Sequence, residues 1–222
     1  MLFRSLIDYP RYLNHGGIIG FETQKGCLHY CSYCVEAGTG VLFKQPESVV
    51  EEISQLVARG FHDFHLCDAE FNLNLPHCLN FLQALVKKKL DMAWALYMVP
   101  TPVNEYLFIL LRQSHAKMVT FSVVSDQKEM QKVGYDYQDL DTMIYWCREH
   151  QIKIAIDLLV GFPGESWKSV ERMVRFFKEH RPDSVGINFY FRLYKNLTLT
   201  RKLLALNSND SSFSREIGRA HV

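Results

Sequence analysis

The sequence predicts an α/β fold built from repeated βαβ units. Runs of β-branched and aromatic residues alternate with segments in which apolar residues recur at helical spacing. The predicted strands are Ile18–Thr23, Phe61–Cys67, Met92–Met98, Lys117–Val124, Ile152–Val160 and Asp183–Tyr190. Strands that alternate with helices form a parallel sheet covered by those helices. Six such units fit an open doubly wound sheet or a partial barrel, and periodicity alone does not choose between them.

Five amphipathic helices are predicted between the strands. After Pro46, which suits the first turn of a helix, an apolar stripe runs from Val49 to Val57 and stops at Gly60. The other four apolar faces are Leu79, Leu82, Leu85 and Val86; Leu107, Leu110 and Leu111; Leu140, Met143, Ile144 and Cys147; and Val170, Met173, Val174 and Phe177. Ser166 is the expected N-cap of the last helix. Ligands of such folds gather at the carboxyl ends of the strands.

Composition limits the classes of function. The chain has 222 residues, of which 48% are hydrophobic and 22% charged, as is typical of a globular domain. A formal net charge of +1 indicates neither a nucleic-acid partner nor an anionic membrane surface. No apolar stretch approaches the ~20 residues that cross a bilayer. Six cysteines without a signal peptide favour metal chemistry in a reducing compartment, so we expect a cytoplasmic protein.

Three of the cysteines form the most informative motif of the chain. Cys27, Cys31 and Cys34 follow the first predicted strand with C-x3-C-x2-C spacing. Three thiolates on one loop can bind one soft centre, which is zinc or an iron–sulfur cluster. Structural zinc normally has four protein ligands, and no fourth soft ligand follows in this loop. The residues indicate an incompletely ligated metal centre, with zinc completed from a distance by His29 or Cys67 as the alternative.

With Tyr33 as its aromatic residue, this segment resembles the C-x3-C-x-aromatic-C motif of the radical S-adenosylmethionine (SAM) superfamily. The resemblance implies a partial (β/α)6 TIM-like barrel in which Cys27, Cys31 and Cys34 hold three irons of a 4Fe–4S cluster and SAM chelates the fourth. It implies an enzyme that reductively cleaves SAM to methionine and a 5'-deoxyadenosyl radical. The electron would come from a donor such as flavodoxin or ferredoxin. The alternative is a noncatalytic fragment that binds structural zinc or an iron–sulfur cluster.

Two further loops resemble SAM-binding segments of this superfamily. Relatives carry a Gly-Gly-Glu-like motif after the second strand, which contacts the SAM amino group; here Asp68-Ala69-Glu70 stands there. The resemblance implies Glu70 as the contact, with Asp68 as the alternative because the glycines are absent. After the fourth strand, relatives bind the ribose through an acid followed by serine. Val124 replaces the acid, which leaves Ser125 or Asp126, or an ordinary turn.

The fifth and sixth strands complete the resemblance. Gly161, Pro163, Gly164 and Glu165 form a turn similar to the fifth-strand motif whose backbone helps to hold the adenine, although a tight strand-to-helix turn is an alternative explanation. Arg192 begins a segment that partly resembles the R-[IL]-Y sequence of relatives. It is expected to face the substrate or the SAM carboxylate, or else to be a surface arginine.

The domain organisation follows from the extent of this resemblance. We expect residues 1–17 to be a linker or the remnant of a missing N-terminal region, 18–206 to be a radical SAM domain, and 207–222 to be a disordered tail. Residues 217–222 resemble the translation of a common sequencing adapter, which suggests a reading frame cut off by library preparation. The motifs most resemble members that carry an N-terminal cobalamin-binding domain, which implies cobalamin in a full-length parent. The substrate is not indicated.

Overall fold

The computed structural model of the chain describes residues 7–189 and 192–206. Its strands are β1 (Ile19–Phe21), β2 (Gln24–Lys25), β3 (Leu42–Phe43), β4 (Asp63–Leu66), β5 (Ala93–Met98), β6 (Ala116–Val124), β7 (Lys153–Leu159) and β8 (Ser184–Asn188). Six of them form a parallel sheet in the order β1-β4-β5-β6-β7-β8, and β2 pairs with β3 in a separate antiparallel ribbon.

Strand order settles the architecture that periodicity left open. The six parallel strands follow one another in space as they do in the chain, without the reversal that defines a doubly wound sheet. Within the described ranges β1 pairs only with β4 and β8 only with β7, so the sheet stays open between its first and last strands. The predicted partial (β/α)6 barrel is confirmed.

The helices are α1 (Tyr9–Asn14), α2 (Pro46–Val57), α3 (Leu75–Lys88), α4 (Glu105–Gln113), α5 (Gln127–Val133), α6 (Tyr137–Glu149), α7 (Trp167–His180) and α8 (Thr198–Leu206). All five predicted helices are confirmed as α2, α3, α4, α6 and α7. Ser166 caps α7 as expected, because its hydroxyl accepts the Ser169 N–H at 3.2 Å. No helix of the described ranges is long and apolar enough to cross a membrane.

The core lies between the sheet and the surrounding helices. On β5, Trp94, Leu96 and Met98 are buried against the helices, while the alternate residues face the interior of the half-barrel and are only partly buried. Side chains from α2, α3, α4 and α6 fill the outer layer. Each fully buried Leu or Phe side chain contributes about 1.5–3 kcal/mol, so this layer supplies most of the stabilisation.

Some expected segments lie partly or wholly outside the described residues. The last predicted strand ends at Tyr190, which lies outside the described residues, whereas β8 ends at Asn188. The expected tail, 207–222, and the adapter-like segment also lie outside. Within the expected linker 1–17, α1 packs on the sheet domain: Tyr9 is 3% exposed, and its ring centroid is 5.2 Å from that of Phe61.

Candidate functional site

A cavity of about 340 Å³ opens at the carboxyl ends of the strands. Its lining brings together residues that are distant in sequence. They include the three thiols of the cysteine loop, Glu70 after β4, Ser122 on β6, Asp157 on β7 and Asn188 on β8. Its volume lies in the range of small-molecule sites. No Lys or Arg is among the described residues that line it, so its ionisable groups are acids, thiols, tyrosines and one histidine.

The cysteine loop places its three thiols on one wall of this cavity. Cys27 is buried, and Cys31 and Cys34 are half-buried. A glycine is required just before Cys27: Gly26 has a φ of +85°, and a Cβ there would lie 2.0 Å from the Gly40 carbonyl oxygen. The loop therefore passes close to the segment that leads into β3.

The donor set of three thiols suits a soft metal centre. Burial raises the pKa of Cys27, and it raises that of Cys31 to about 12, so neither thiol ionises at neutral pH without a metal. Metal binding would displace these protons. Within the described ranges no three His, Cys, Asp or Glu side chains are grouped to hold a single metal ion. Of the proposed distant zinc ligands, His29 lines the cavity and Cys67 does not.

Tyr33 connects the cysteine loop to the turn after β7. Its hydroxyl interacts with the Cys31 thiol, and its ring packs edge-on against Phe162 with centroids 5.6 Å apart. Burial, together with the neighbouring Cys31 thiol, raises the pKa of Tyr33 far above its usual value, so the hydroxyl is a neutral donor. The aromatic residue of the motif thus lies in the cavity wall as well as in a packing contact.

Glu70 faces the cavity with an unsatisfied oxygen. Its Oε2 is buried and makes no hydrogen bond to the described residues, while Ser122 hydrogen bonds to the carboxyl group. Burial raises the pKa of Glu70 to about 8; the charge of Asp157 adds to this and the Ser122 bond opposes it. The Gln24 side-chain amide holds the Glu70 carbonyl at 2.5 Å. This arrangement suits a cationic ligand, whose charge would favour ionisation of the carboxyl group.

Asp68 points elsewhere. Its Oδ1 accepts the Thr23 N–H at 2.7 Å and the Gln24 N–H at 3.2 Å, and its Oδ2 accepts the Thr23 hydroxyl. The side chain is 5% exposed and does not line the cavity. Asp68 therefore joins the end of β1 to the end of β4, beneath the loops that carry the site.

Ser125 and Asp126, which follow β6, also form hydrogen bonds with backbone groups. Both the amide and the hydroxyl of Ser125 donate to the Leu159 carbonyl, at 3.1 and 3.3 Å. Asp126 caps α5 by accepting the Lys128 and Glu129 amides. Neither side chain lines the cavity, whereas Val124 does.

The turn after β7 is closed by its own acid. Glu165 Oε2 accepts the amides of Gly161 and Phe162 at 2.7 and 3.1 Å, and Gly161 and Gly164 have positive φ angles of +89° and +79°. Pro163 is exposed within this turn. Phe162 packs against Tyr33 of the cavity wall, whereas Gly161, Pro163, Gly164 and Glu165 are not among the described residues that line the cavity.

Arg192 is exposed and does not line the cavity. It follows residues 190–191, which lie outside the described ranges.

Sequence reasoning missed three polar residues of the interior face. Ser122 and Asp157 are register partners on β6 and β7, and the Asn188 side-chain amide donates to Asp157. Burial raises the pKa of Asp157. The available signal was Asp157 itself, the one charged residue in the otherwise apolar run Ile154–Val160.

Comparison with known proteins identifies the family. The model of the radical SAM superfamily matches residues 21–177. The chain belongs to the radical SAM superfamily. This match includes all three cysteines, Glu70 and the turn after β7, and it ends before β8, whose Asn188 also lines the cavity.

The chain is similar to several individual proteins. It is 28% identical over 217 residues to a tryptophan 2-C-methyltransferase from Streptomyces laurentii, covering 89% of this chain and 36% of that protein. It is 24% identical to a probable threonylcarbamoyladenosine tRNA methylthiotransferase from Pyrococcus horikoshii, over 83% of this chain and 47% of that one. The structure of the methyltransferase TsrM from Kitasatospora setae, with cobalamin and a [4Fe-4S] cluster bound, superposes with a TM-score of 0.83 at 26% identity.

The chain spans less than half the length of each of these proteins. The superposition with TsrM covers 90% of this chain but only 39% of the TsrM chain. The shared part is the radical SAM domain.

Proposed function

We propose that Cys27, Cys31 and Cys34 bind a 4Fe–4S cluster and that the cavity beside them binds SAM for reductive cleavage. The observation that carries this proposal is the placement of three thiols and the unsatisfied Glu70 carboxylate on one cavity of a radical SAM domain. When bound, the cluster supplies one electron to the sulfonium, so the C5'–S bond breaks into methionine and a 5'-deoxyadenosyl radical.

The residues of the chain bind and orient SAM. Glu70 accepts a hydrogen bond from the SAM ammonium group. The positive charge of that group favours the ionised form of the Glu70 carboxyl group. Tyr33, braced by Phe162, fixes the loop and forms part of the wall. The turn formed by Gly161, Pro163, Gly164 and Glu165 supports the adenine end through its rigid backbone.

Three expected contacts receive different assignments in this proposal. Asp68 and Ser125 hold the loops through backbone hydrogen bonds rather than contacting SAM. Arg192 remains a candidate for the SAM carboxylate or the substrate, because it follows β8 at the same end of the barrel.

We further propose that the parent protein is a cobalamin-dependent methyltransferase whose radical SAM domain comprises residues 18–206. The support is the similarity to tryptophan 2-C-methyltransferase and to cobalamin-bound TsrM. Radical SAM enzymes need a reductant, and for this one we propose a flavodoxin or a ferredoxin in the cytoplasm.

Anaerobic reconstitution with iron and sulfide tests the proposal. We expect a brown protein with about four irons that becomes EPR-active with dithionite, changes its spectrum with SAM and forms 5'-deoxyadenosine. Replacing Cys27, Cys31 and Cys34 together by Ala should abolish all of these properties. Cys67→Ala is the matched control and should retain them, because its thiol lies outside the cavity.

The alternative predicts a different result. Stoichiometric zinc without iron, lost in His29→Ala or in Cys67→Ala, would favour a structural zinc site. Retained 5'-deoxyadenosine formation in the triple variant would refute the proposed ligands.

A further inference from the structure

The backbone of Ser32, between the second and third cysteines, is held by two distant parts of the chain. Its N–H donates to Glu129 Oε2 at 3.4 Å, and its carbonyl accepts the Leu199 N–H at 3.0 Å. Ser32 is 5% exposed, so water does not readily replace these partners. The loop segment that separates Cys31 from Cys34 is therefore tied to α5 and to the start of α8.

Glu129 is oriented for this contact by its own helix. Asp126 caps α5 and accepts the Glu129 N–H at 3.0 Å, which fixes the first turn. Lys132 lies one turn later and pairs with the other carboxylate oxygen, Oε1. The two oxygens thus have separate partners, Lys132 for Oε1 and Ser32 for Oε2.

The position would otherwise favour an apolar side chain. Glu129 is 7% exposed, and burying a carboxylate costs free energy unless hydrogen bonds compensate. Its neighbours Met130 and Val133 show that packing of α5 is achieved with apolar residues. The carboxylate adds what an apolar residue lacks, an acceptor that reaches the cysteine loop.

We propose that Glu129 is a positioning residue that fixes the Ser32 amide and thereby the conformation of the loop between Cys31 and Cys34. The consequence for a bound cluster rests on the proposed function; the hold on the loop does not.

Hydrogen exchange in the cluster-free protein tests the hold on the loop. Glu129→Ala should speed exchange of the Ser32 amide roughly fivefold, the size expected for loss of one hydrogen bond. Glu129→Gln should exchange nearly as slowly as the wild type, because its amide oxygen still accepts. Lys132→Ala is the matched control, since it removes the ion pair and leaves the acceptor.

Reconstituted protein gives the second readout. Glu129→Ala should lose iron to a chelator several-fold faster than the wild type, and Glu129→Gln should restore retention. Recovery in Glu129→Gln separates the hydrogen bond from the charge, because the amide keeps an acceptor for the Ser32 N–H and removes the charge.

The outcomes separate the two proposals. Equal Ser32 exchange in wild type, Glu129→Ala and Glu129→Gln would overturn the positioning role, whether or not a cluster forms. A wild type that takes up no iron would overturn the proposed function, while the exchange experiment would still decide the role of Glu129. Should Glu129→Ala not fold, Glu129→Asp replaces it: the shorter carboxylate keeps the charge but loses the reach, so fast exchange is expected.

Discussion

Glu70 is a buried acid beside a second acid, Asp157, and no lysine or arginine is among the described residues that line its cavity. Its pKa of about 8 makes it mostly protonated at neutral pH while the cavity holds no cation. A ligand with a positive charge would lower that pKa by offering the missing counter-charge. Ligand charge and proton release are therefore linked at this residue.

The first prediction concerns Glu70→Gln and pH. Between about pH 4.5 and 8 the native Glu70 binds more protons than the unfolded chain, so its contribution to stability falls as pH rises. Without ligands, Glu70→Gln should therefore become progressively more stable than the wild type across this window. Thermal unfolding of both proteins at pH 5 and pH 8 measures it, and a constant difference would contradict the raised pKa.

The second prediction concerns Asp157→Asn, which removes the other acid of the cavity while keeping its shape and an acceptor for Asn188. Affinity for the sulfonium cation SAM should fall relative to affinity for its neutral thioether analogue, S-adenosylhomocysteine. Calorimetry of the reconstituted protein with both ligands measures the ratio. An unchanged ratio would show that Asp157 does not contribute to the charge preference.

At the residue scale, the sequence predicts some site residues better than others. The cysteines were predictable because their spacing alone carries the chemistry. Glu70 was preferred to Asp68 on the resemblance alone, since both follow β4, and the structure shows that Asp68 is turned toward the Thr23 and Gln24 amides. Asp157 was missed because the other residues of its strand are apolar, so the pattern did not indicate that one side chain facing the interior is polar.

At the scale of elements, the loops after β1 and β4 are joined by hydrogen bonds. Asp68 binds the chain just after β1, and Asn72 reaches in the other direction, bonding both the amide and the carbonyl of Val99 after β5. Glu70 lies between these two anchors. Its position at the cavity depends on both neighbouring strand ends.

The third prediction tests one anchor. Asp68→Ala removes three accepted hydrogen bonds and should destabilise the protein by about 3 kcal/mol. Asp68→Asn should cost less, because its amide oxygen still accepts a backbone N–H. Urea unfolding of both variants measures the difference; equal losses would indicate that the charge rather than hydrogen bonding holds the loops.

Elements with sustained periodicity were predictable, and short ones were not. The helices α2, α3, α4, α6 and α7 present repeated apolar faces, whereas α5 has seven residues and only two buried apolar ones. Its ends are set instead by the Asp126 cap and by Gly134, whose φ is +93°. The two-residue strands β2 and β3 form where the cysteine loop returns, a tertiary effect that no local pattern encodes.

For the molecule as a whole, six units wind in one direction around a half-open interior. The strand order brings the cysteine loop, the loop after β4 and residues of β6, β7 and β8 together around one cavity. Sequence order alone predicted this meeting point, because parallel strands share their carboxyl end. Periodicity did not determine the degree of closure, which depends on how β1 and β8 are paired; the partial barrel was predicted from the family resemblance.

The fourth prediction concerns global stability with bound ligand. SAM at one hundred times its dissociation constant should stabilise the reconstituted protein by about 2.7 kcal/mol, because it binds only the folded state. The variant with all three cysteines replaced by Ala should gain much less, since it lacks the chelating iron. Denaturant unfolding with and without SAM measures both, and equal gains would place SAM away from the cluster.

The exposed strand β8 makes this domain prone to aggregation. It forms one margin of the sheet, and Val185 and Ile187 on it are 40% and 43% exposed. Among the described residues β8 pairs only with β7, and an edge strand with exposed apolar side chains can pair with a strand of a neighbouring molecule. We therefore expect the protein to aggregate at high concentration, and we expect Val185→Lys to reduce this aggregation.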